Sequence, residues 1–417
     1  MESNKDFNHY EIRANVTEDQ TSKIQDFMNT IGDEGGGLVQ LPAGRLTIKG
    51  NLHIPEGTSL KGVWNGPHQG LVAKGTVLLA FAGRDNENDK PFIQMNPNSS
   101  LDGVTILYPE QSINDIKPYP WTIEGIGMHN TIDNVTLTNS YNGISMGSCP
   151  NELHSIRNVF GCVLRRGIYV NKTTDIGRIE NVHFNPHYWS RSGHEGSYSD
   201  LKSVKKNLDL SIGAEMQKNL EAFIFGRTDW EYVLNTFVFG ARIGYKFIET
   251  EAGACNGNFL GIGSDASQYC LLAEQTQSPG LLISNAEFVC LPLGEVDMER
   301  IGVVTSPDFS GTIQISNSAF WGDFTKIVEI AGNGFVSISQ SNMQGWKHED
   351  NPAINVKEGR FSVNNTFFKG FGPHIYLNEK VSYASINHNF AIGGVFIMNK
   401  SKKEMNINGN EMQYIEK

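Results

Sequence analysis

One short phrase recurs along this chain at nearly even spacing: an aliphatic residue, a polar residue and then, in most copies, asparagine. The copies begin at Ile132, Ile156, Ile179, Ile283, Ile315, Ile338, Val363, Ile386 and Ile407. The first three copies are 24 and 23 residues apart, and the last six are separated by 32, 23, 25, 23 and 21 residues. A nearly fixed period of this length is typical of proteins built from stacked structural repeats.

Each repeat is too short, and too rich in β-branched residues and asparagine, to form a pair of helices. It predicts instead one coil of a parallel β-helix, whose short strands turn at Asn and Gly and stack on the coil below. The length of 417 residues would by itself suggest two or three domains, but a solenoid grows in one dimension. We therefore expect a single all-β solenoid domain over residues 1–417.

The composition excludes several classes of protein. A net charge of −11 and a pI near 5.5 argue against a nucleic-acid partner, which would need a basic face. No run of 18 apolar residues is present, so no membrane partner is expected. The N-terminus lacks an apolar leader, which fits a cytoplasmic protein or an exported one without its leader. The five cysteines show no CxxC spacing, so we expect buried thiols, no metal site and no cofactor.

Local patterns predict how the repeats begin and where they are interrupted. Residues 17–32 predict a helix capped by Thr17, which would cover the open end of the coil stack. Strands are predicted after it at 38–41, 46–48, 52–54 and 59–63. Residues 64–100 predict a long loop with short strands. Residues 186–222 form a longer interruption, which we interpret as a wall or lid over one face of the β-helix.

The phrase GGGLVQLPAGRLTI at residues 35–48, after an amphipathic helix, resembles the N-terminal signature of the pectate-lyase-like superfamily. The blocks RIENVHFNP at 178–186, FGRTDW at 225–230 and AFWG at 319–322 resemble bacterial proteins related to glycoside hydrolase family 28. The resemblance extends over most of the chain and implies a right-handed parallel β-helix. Polysaccharide lyases, family 28 hydrolases and phage tailspikes belong to this superfamily.

The catalytic motifs of family 28 polygalacturonases are absent from this sequence. It contains no Asn-Thr-Asp, Asp-Asp, Gly-His-Gly or Arg-Ile-Lys motif, and it lacks the usual Asp-Phe/Tyr-Gly-Ala start. The family's catalytic residues therefore have no matching positions here. The resemblance implies the fold, and fold alone does not give function.

Candidate catalytic residues must come from the pattern of acidic residues. Strands of adjacent coils lie about 4.8 Å apart, so carboxylates one or two coils apart bracket the separations used by retaining and inverting glycosidases. Acidic residues placed among aromatics, glycines and strands are the candidate acids, bases or nucleophiles: Asp229, Glu231, Asp265, Glu287 and Asp323. Asp229 and Glu231 would share a face if their segment is extended, and Glu287 follows Asp265 by about one coil. Each could instead be a turn residue that binds backbone amides, or a solvated side chain.

Aromatic and basic residues are the second group of candidates. Aromatic rings offer a flat apolar face with a polar handle, which suits sugars. The candidate substrate-binding residues are Tyr188, Trp189, His187, Arg191, Arg227, Trp230 and Arg166. For Trp321 and Trp346, stacking inside the coils or covering the core is favoured over a place in the site.

These patterns favour a glycoside hydrolase with two carboxylates in a groove on the β-helix face, acting on a poly- or oligosaccharide. One alternative is a polysaccharide lyase or an anhydride-forming transferase, in which arginine would be essential. Another is a non-catalytic glycan-binding or tailspike-like protein. The chain is expected to be a monomer or a homotrimer.

Overall fold

The computed structural model describes residues 11–66, 74–198, 207–294, 298–347 and 351–411, together with the backbone of 414–416. These residues form three helices: Thr21–Asp33 (α1), His187–Ser190 (α2) and Leu208–Asn219 (α3). The first strands are Gly37–Gln40 (β1), Gly44–Ile48 (β2), Leu52–Ile54 (β3), Thr58–Lys61 (β4), Thr76–Ala80 (β5), Ile93–Met95 (β6), Ser100–Asp102 (β7), Val104–Leu107 (β8), Trp121–Gly125 (β9), Thr131–Met146 (β10) and Ser155–Val170 (β11).

The strands that follow are Arg178–Phe184 (β12), Glu221–Phe225 (β13), Thr228–Leu234 (β14), Phe237–Phe247 (β15), Cys255–Leu260 (β16), Gly263–Ala273 (β17), Leu281–Ser284 (β18), Glu287–Cys290 (β19), Ile301–Thr305 (β20), Thr312–Ser316 (β21) and Ala319–Gly322 (β22). The last are Lys326–Ile330 (β23), Phe335–Ser339 (β24), Asn342–Met343 (β25), Ile354–Asn364 (β26), Phe367–Phe368 (β27), Ile375–Asn387 (β28), Phe390–Ala391 (β29), Phe396–Asn399 (β30), Asn406–Asn408 (β31) and Tyr414–Glu416 (β32).

The chain divides into two compact units, the first comprising residues 1–164 and 185–209 and the second 165–184 and 210–417. In the first unit, parallel pairing joins β1, β4, β7 and β10 in one row (A), β2, β5, β8 and β10 in a second (B), and β3, β6, β9 and β10 in a third (C). The chain visits rows A, B and C in turn. Each strand therefore stacks on one from the coil before it, as in a parallel β-helix.

The second unit also has three rows of stacked strands, which we label A, B and C in the order in which the chain visits them. Row A runs through β12, β14, β16, β18, β21, β24, β26, β28 and β31. Row B runs through β12, β15, β17, β19, β22, β25, β27 and β29. Row C begins with β11, β13, β15, β17 and β20. The pairing confirms the parallel β-helix expected from the repeat, while its right-handedness and the single domain stay predictions.

The repeated phrase marks the corner where the chain leaves row A for row B. Its first residue is buried in every copy except the last, where Ile407 is half-buried. Its third residue has a positive φ in all nine copies, between 50° and 67°. Asn and Gly tolerate this left-handed conformation better than other residues do. The period of the repeated phrase is therefore the number of residues from one such corner to the next.

The predicted N-terminal helix is present as α1, which buries Ile24, Phe27 and Met28 and packs against β1 and β3. It begins at Thr21 rather than near Thr17, and the residue at its N-cap position is Gln20, whose side chain makes no capping bond. The predicted capping residue is therefore wrong. That α1 covers the end of the coil stack stays a prediction.

The two interruptions of the repeat contain regular elements. Strands β5 and β6 lie within residues 64–100, of which 67–73 fall outside the described residues. The insertion 186–222 contributes α2 to the first unit and most of α3, from Leu210, to the second. Its residues 199–206 also fall outside the description, so its role as a lid stays a prediction.

The five cysteines are free thiols, and four of them are buried. None of the helices in the described ranges has the length and apolar character that crossing a bilayer requires.

Candidate functional site

A shallow groove of about 420 Å³ lies on the outer face of row A in the second unit. Two columns of outward side chains form it, with one residue per column from each of β14, β16, β18, β21 and β24. Strand register places Tyr232, Asn258, Leu282, Gln314 and Ser337 in one column, and Leu234, Leu260, Ser284, Ser316 and Ser339 in the other. Because stacked strands are about 4.8 Å apart, five strands extend the groove over roughly 19 Å.

The lining of this groove is uncharged. None of its thirteen residues is acidic or basic, and the lining combines hydrocarbon with amide and hydroxyl groups. Leu260 and Leu282 are 42% and 46% exposed. A surface of this composition can pack against an apolar face of a ligand and hydrogen-bond its polar edge.

Trp230 stands beside the groove and is 58% exposed. Its indole Nε1 donates a hydrogen bond to the hydroxyl of Tyr232 at 2.8 Å. Its backbone has a φ of 63°, and its N–H donates to Oδ1 of Asn256 at 3.1 Å. The strand register shifts between Thr228 and Glu231, and this bulge turns the indole outward at the rim.

Two of the predicted acidic residues come together on the outer face of row B in the second unit. Glu287 of β19 stands opposite Gly263 of β17, and Asp265 lies two residues beyond Gly263 on the same face. One strand across and two residues along correspond to a Cα separation of roughly 8 Å. Asp265 and Glu287 are therefore neighbours from adjacent coils.

The two carboxyl groups have different surroundings. Burial, followed by the charge of Glu287, raises the pKa of Asp265, while a hydrogen bond from the Ala266 N–H opposes this. Oδ1 of Asp265 is buried and has no hydrogen-bond partner among the described residues. Glu287 is exposed, and its Oε1 accepts a hydrogen bond from Nε1 of Trp321 at 2.7 Å. One group is thus arranged to hold a proton, and the other is held in place while open to solvent.

Helix α3 fixes the backbone next to Asp265. Nε2 of the buried Gln217 donates to the carbonyl oxygen of Ala266 at 2.7 Å and to that of Leu291 at 2.6 Å. Its Oε1 accepts the N–H of Leu293 at 2.9 Å. Ala266 has a φ of 51°, which is unusual for alanine. The insertion therefore supports the turn that follows Asp265.

Asp229 and Glu231 do not share a face. The left-handed Trp230 and the bulge interrupt the extended backbone that this expectation required, so Glu231 is fully buried while Asp229 is half-buried. Nε of Arg227 donates to Asp229 at 3.1 Å, and Nε2 of Gln277 donates at 2.6 Å. Burial raises the pKa of Asp229, but these two partners outweigh it and hold the pKa below its ordinary value. Asp229 and Arg227 thus form an ion pair that braces the start of β14.

The aromatic candidates of the insertion are inside the first unit. Tyr188 and Trp189 are buried, against the expectation of exposed rings in a polar loop. The ring of Tyr188 lies 5.8 Å from that of Phe160, and Nε1 of Trp189 donates to the carbonyl oxygen of Glu195 at 3.2 Å. The short helix α2 turns both rings toward the strands of the first unit, where they cover its hydrophobic core.

The charged candidates are held by other protein groups. Nη2 of Arg191 lies 2.6 Å from Oδ2 of Asp209, and Nε2 of His187 lies 3.4 Å from the same oxygen. Arg166 is in row C, where its backbone stands opposite Glu221. No group of three or more His, Cys, Asp or Glu side chains in the described ranges is placed to hold a metal ion.

The groove itself was missed by the sequence analysis, although a signal for it exists. In β18, β21 and β24 its outward residues directly flank the first residue of the repeated phrase, as Leu282 and Ser284 flank Ile283, and Gln314 and Ser316 flank Ile315. Aligning the copies of the phrase would have shown these uncharged columns.

No protein-family model matches this chain, and neither does any curated protein. Among solved structures, gene product 12 of bacteriophage phi29, in a pre-mature form, is similar over 97% of this chain and 57% of its own, with 11% identity and a TM-score of 0.54. The adhesin PfbA of Streptococcus pneumoniae, a surface protein, is similar over 98% and 99%, with 13% identity and a TM-score of 0.45. An exopolygalacturonase from Thermotoga maritima is similar over 97% and 93%, with 11% identity and a TM-score of 0.38.

At 11% identity, the match to gene product 12 shows a shared fold. The strand pairing described above confirms the parallel β-helix that the pectate-lyase-like resemblance implied. The activity of the chain has to be argued from its own side chains.

Proposed function

We propose that this chain is a glycoside hydrolase whose acid pair is Asp265 and Glu287. The observation that carries the proposal is the pairing of two unlike carboxyl groups on one face of adjacent coils. Asp265 is partly buried with a raised pKa, and Glu287 is exposed and oriented by Trp321. A glycosidase of this kind needs one carboxyl group as the general acid and a second carboxyl group as the base or nucleophile.

In the proposed reaction, Asp265 donates its proton to the glycosidic oxygen as the bond to the anomeric carbon breaks. Glu287 accepts a proton from a water molecule, whose oxygen attacks the anomeric carbon from the opposite side. This is the inverting mechanism, which needs room for a water molecule between carboxyl groups about 6.5–9.5 Å apart, against about 5 Å in retaining enzymes. We therefore expect inversion of the anomeric configuration.

Neighbouring side chains supply positioning in this proposal. The indole of Trp321 holds Glu287 by a hydrogen bond and presents a flat ring beside it. Gln217 holds the turn after Asp265 from the helix side. Asp229 and Glu231 are outside the proposed pair, because the first is braced by Arg227 and the second is enclosed.

The test is a screen of plant, algal and bacterial glycans with the wild type, Asp265→Asn and Glu287→Gln. Reducing ends and the absorbance of unsaturated products are measured together. We expect reducing ends without unsaturated product, and a loss of about 100-fold or more in either variant, because general acid–base catalysis contributes at least that much. Asp323, the remaining acidic candidate, is paired with the buried Arg300, so the control is Asp308→Asn at an exposed position outside the pair. The variants are compared after circular dichroism has shown that each is folded.

Two results would contradict the proposal. Unsaturated product would establish elimination and move the search to the arginines. Full activity in both Asp265→Asn and Glu287→Gln would remove the acid pair from the reaction. For an active wild type, the anomer released first, observed by proton NMR, decides between inversion and retention.

A further inference from the structure

From the outer face of row A we infer a second carbohydrate site: the groove between Tyr232 and Ser339 binds a neutral glycan along the stacking direction of the coils. The site is separate from the acid pair, which lies on row B. It does not depend on hydrolysis, so it can hold whether or not the proposed activity does.

The polar side chains of the groove are available to a ligand. In the described chain, no side-chain hydrogen bond is made by Asn258, Ser284, Gln314, Ser316, Ser337 or Ser339. Further along row A, similar side chains bond to each other: Nδ2 of Asn364 donates to Oγ of Ser362 at 2.8 Å, and Nδ2 of Asn387 donates to Oγ of Ser385 at 2.7 Å. The outward polar groups of row A therefore bond to each other beyond the groove, whereas those within the groove are left for a ligand.

The chemical groups of the groove and their spacing match those of a glycan. A glycan offers hydroxyl groups at its edges and patches of C–H on its faces, and the groove offers amides and hydroxyls between leucines, with Trp230 at its rim. The lining carries no charge, so it favours a neutral sugar chain over a uronate polymer, whose carboxylates would lose solvation without gaining a cation. Each column presents one side chain about every 4.8 Å, which suits a ligand built from repeating units.

A peptide fits this surface less well. Strands β16, β18 and β21 are hydrogen-bonded to neighbours on both sides, so no free strand edge is present there for an added peptide strand. The exposed Leu260 and Leu282 also stand directly beside polar residues of the next strands, which are Ser284, Asn258 and Gln314. A polar, hydroxyl-rich partner satisfies those side chains, and an apolar one would leave them buried without partners.

The inference is tested by affinity electrophoresis of the folded protein in native gels that contain dextran, barley β-glucan, galactomannan or arabinoxylan, with polygalacturonate as the anionic comparison. We expect at least one neutral polysaccharide to retard the wild type. The Trp230→Ala/Gln314→Ala variant should bind it about tenfold more weakly or worse, since an aromatic contact and a hydrogen bond are lost. Phe371→Ala, which removes an exposed ring outside the groove, should bind as the wild type does.

Asp265→Asn/Glu287→Gln separates this inference from the proposed function, because it should be retarded like the wild type. Retardation without any hydrolysis removes only the proposed function, and hydrolysis with unchanged binding by the groove variant removes only the groove. The inference is overturned if no neutral polysaccharide retards the protein, or if polygalacturonate alone does. It is also overturned if sedimentation shows a dimer that Leu282→Glu dissociates, because the groove would then belong to a second copy.

Discussion

At the scale of single residues, the surroundings that suit Asp265 to its proposed role as an acid also lower the stability of the folded protein. Burial and the nearby Glu287 raise its pKa, so the folded protein binds that proton more tightly than the unfolded chain does. The ionised form is therefore penalised in the fold. This penalty is present at neutral pH, and it disappears as the pH falls below the ordinary pKa of an aspartate.

We predict that Asp265→Asn raises the melting temperature at neutral pH while it removes hydrolysis. Asparagine has nearly the same shape but cannot ionise, so the gain should shrink as the pH is lowered toward the ordinary pKa of aspartate. Thermal unfolding followed by circular dichroism across pH measures this, with Asp308→Asn at an exposed position as control. A melting temperature that falls at neutral pH would contradict the burial argument.

The raised pKa of Asp265 also predicts how the rate of hydrolysis changes with pH. A general acid works only when protonated, so hydrolysis should decline as the pH rises through the pKa of Asp265, and this limb should lie above the usual range for aspartate. Initial rates across pH locate it. A profile that rises toward alkaline pH would assign the essential group to something other than Asp265.

Trp189 shows the opposite case, a residue whose chemistry suggests binding but whose place is structural. It is fully buried in the first unit, and it bonds the carbonyl oxygen of Glu195. We predict that Trp189→Ala lowers the free energy of unfolding by about 3–5 kcal/mol through the cavity it leaves. Urea denaturation measures the change. Trp230→Ala, at an exposed ring, should cost about 0.5 kcal/mol or less, and equal effects of the two would contradict the assignment.

At the scale of elements, the left-handed corner between rows A and B is the unit that the sequence repeats. Its third residue is Asn in most copies, but Gln340 and His388 occupy the same conformation with φ of 50° and 56°. Amide side chains at these corners also bond across coils, as Nδ2 of Asn317 does to Oδ1 of Asn285 at 2.6 Å. The copies with Gln and His therefore carry backbone strain that Asn or Gly would reduce.

We predict that Gln340→Gly stabilises the protein by about 0.5–1 kcal/mol, because glycine adopts this φ without a Cβ clash. The matched change Ser337→Gly, three residues earlier in the extended part of β24, should destabilise by about 0.5–1 kcal/mol. Differential scanning calorimetry compares the two. A loss of stability in Gln340→Gly would mean that the glutamine side chain makes a contact worth more than the strain.

At the scale of the whole molecule, the net charge of the chain and the uncharged lining of the groove have different effects on ligand binding. The chain carries −11, yet the groove has no acidic or basic lining residue. A charged ligand would be repelled or attracted by the field of the molecule, and salt would screen that effect. A neutral glycan should be indifferent to it.

We therefore predict that the dissociation constant for the retarding neutral polysaccharide changes less than about twofold between low and high salt, because screening acts only on charges. Affinity electrophoresis at several salt concentrations measures it. A steep dependence on salt would show that charged groups outside the groove hold the ligand.

The sequence by itself determined the architecture, because each coil repeats an inward aliphatic residue and a left-handed corner, and such local requirements can be read along the chain. It also placed Asp265 and Glu287 about one coil apart, since one period returns the chain to the same row. Tertiary structure decided the rest. The bulge at Trp230 separated Asp229 from Glu231, because one left-handed residue breaks the alternation of faces. The uncharged groove required the register of five strands that are distant in sequence, and burial in a packed unit depends on neighbours that no local pattern specifies.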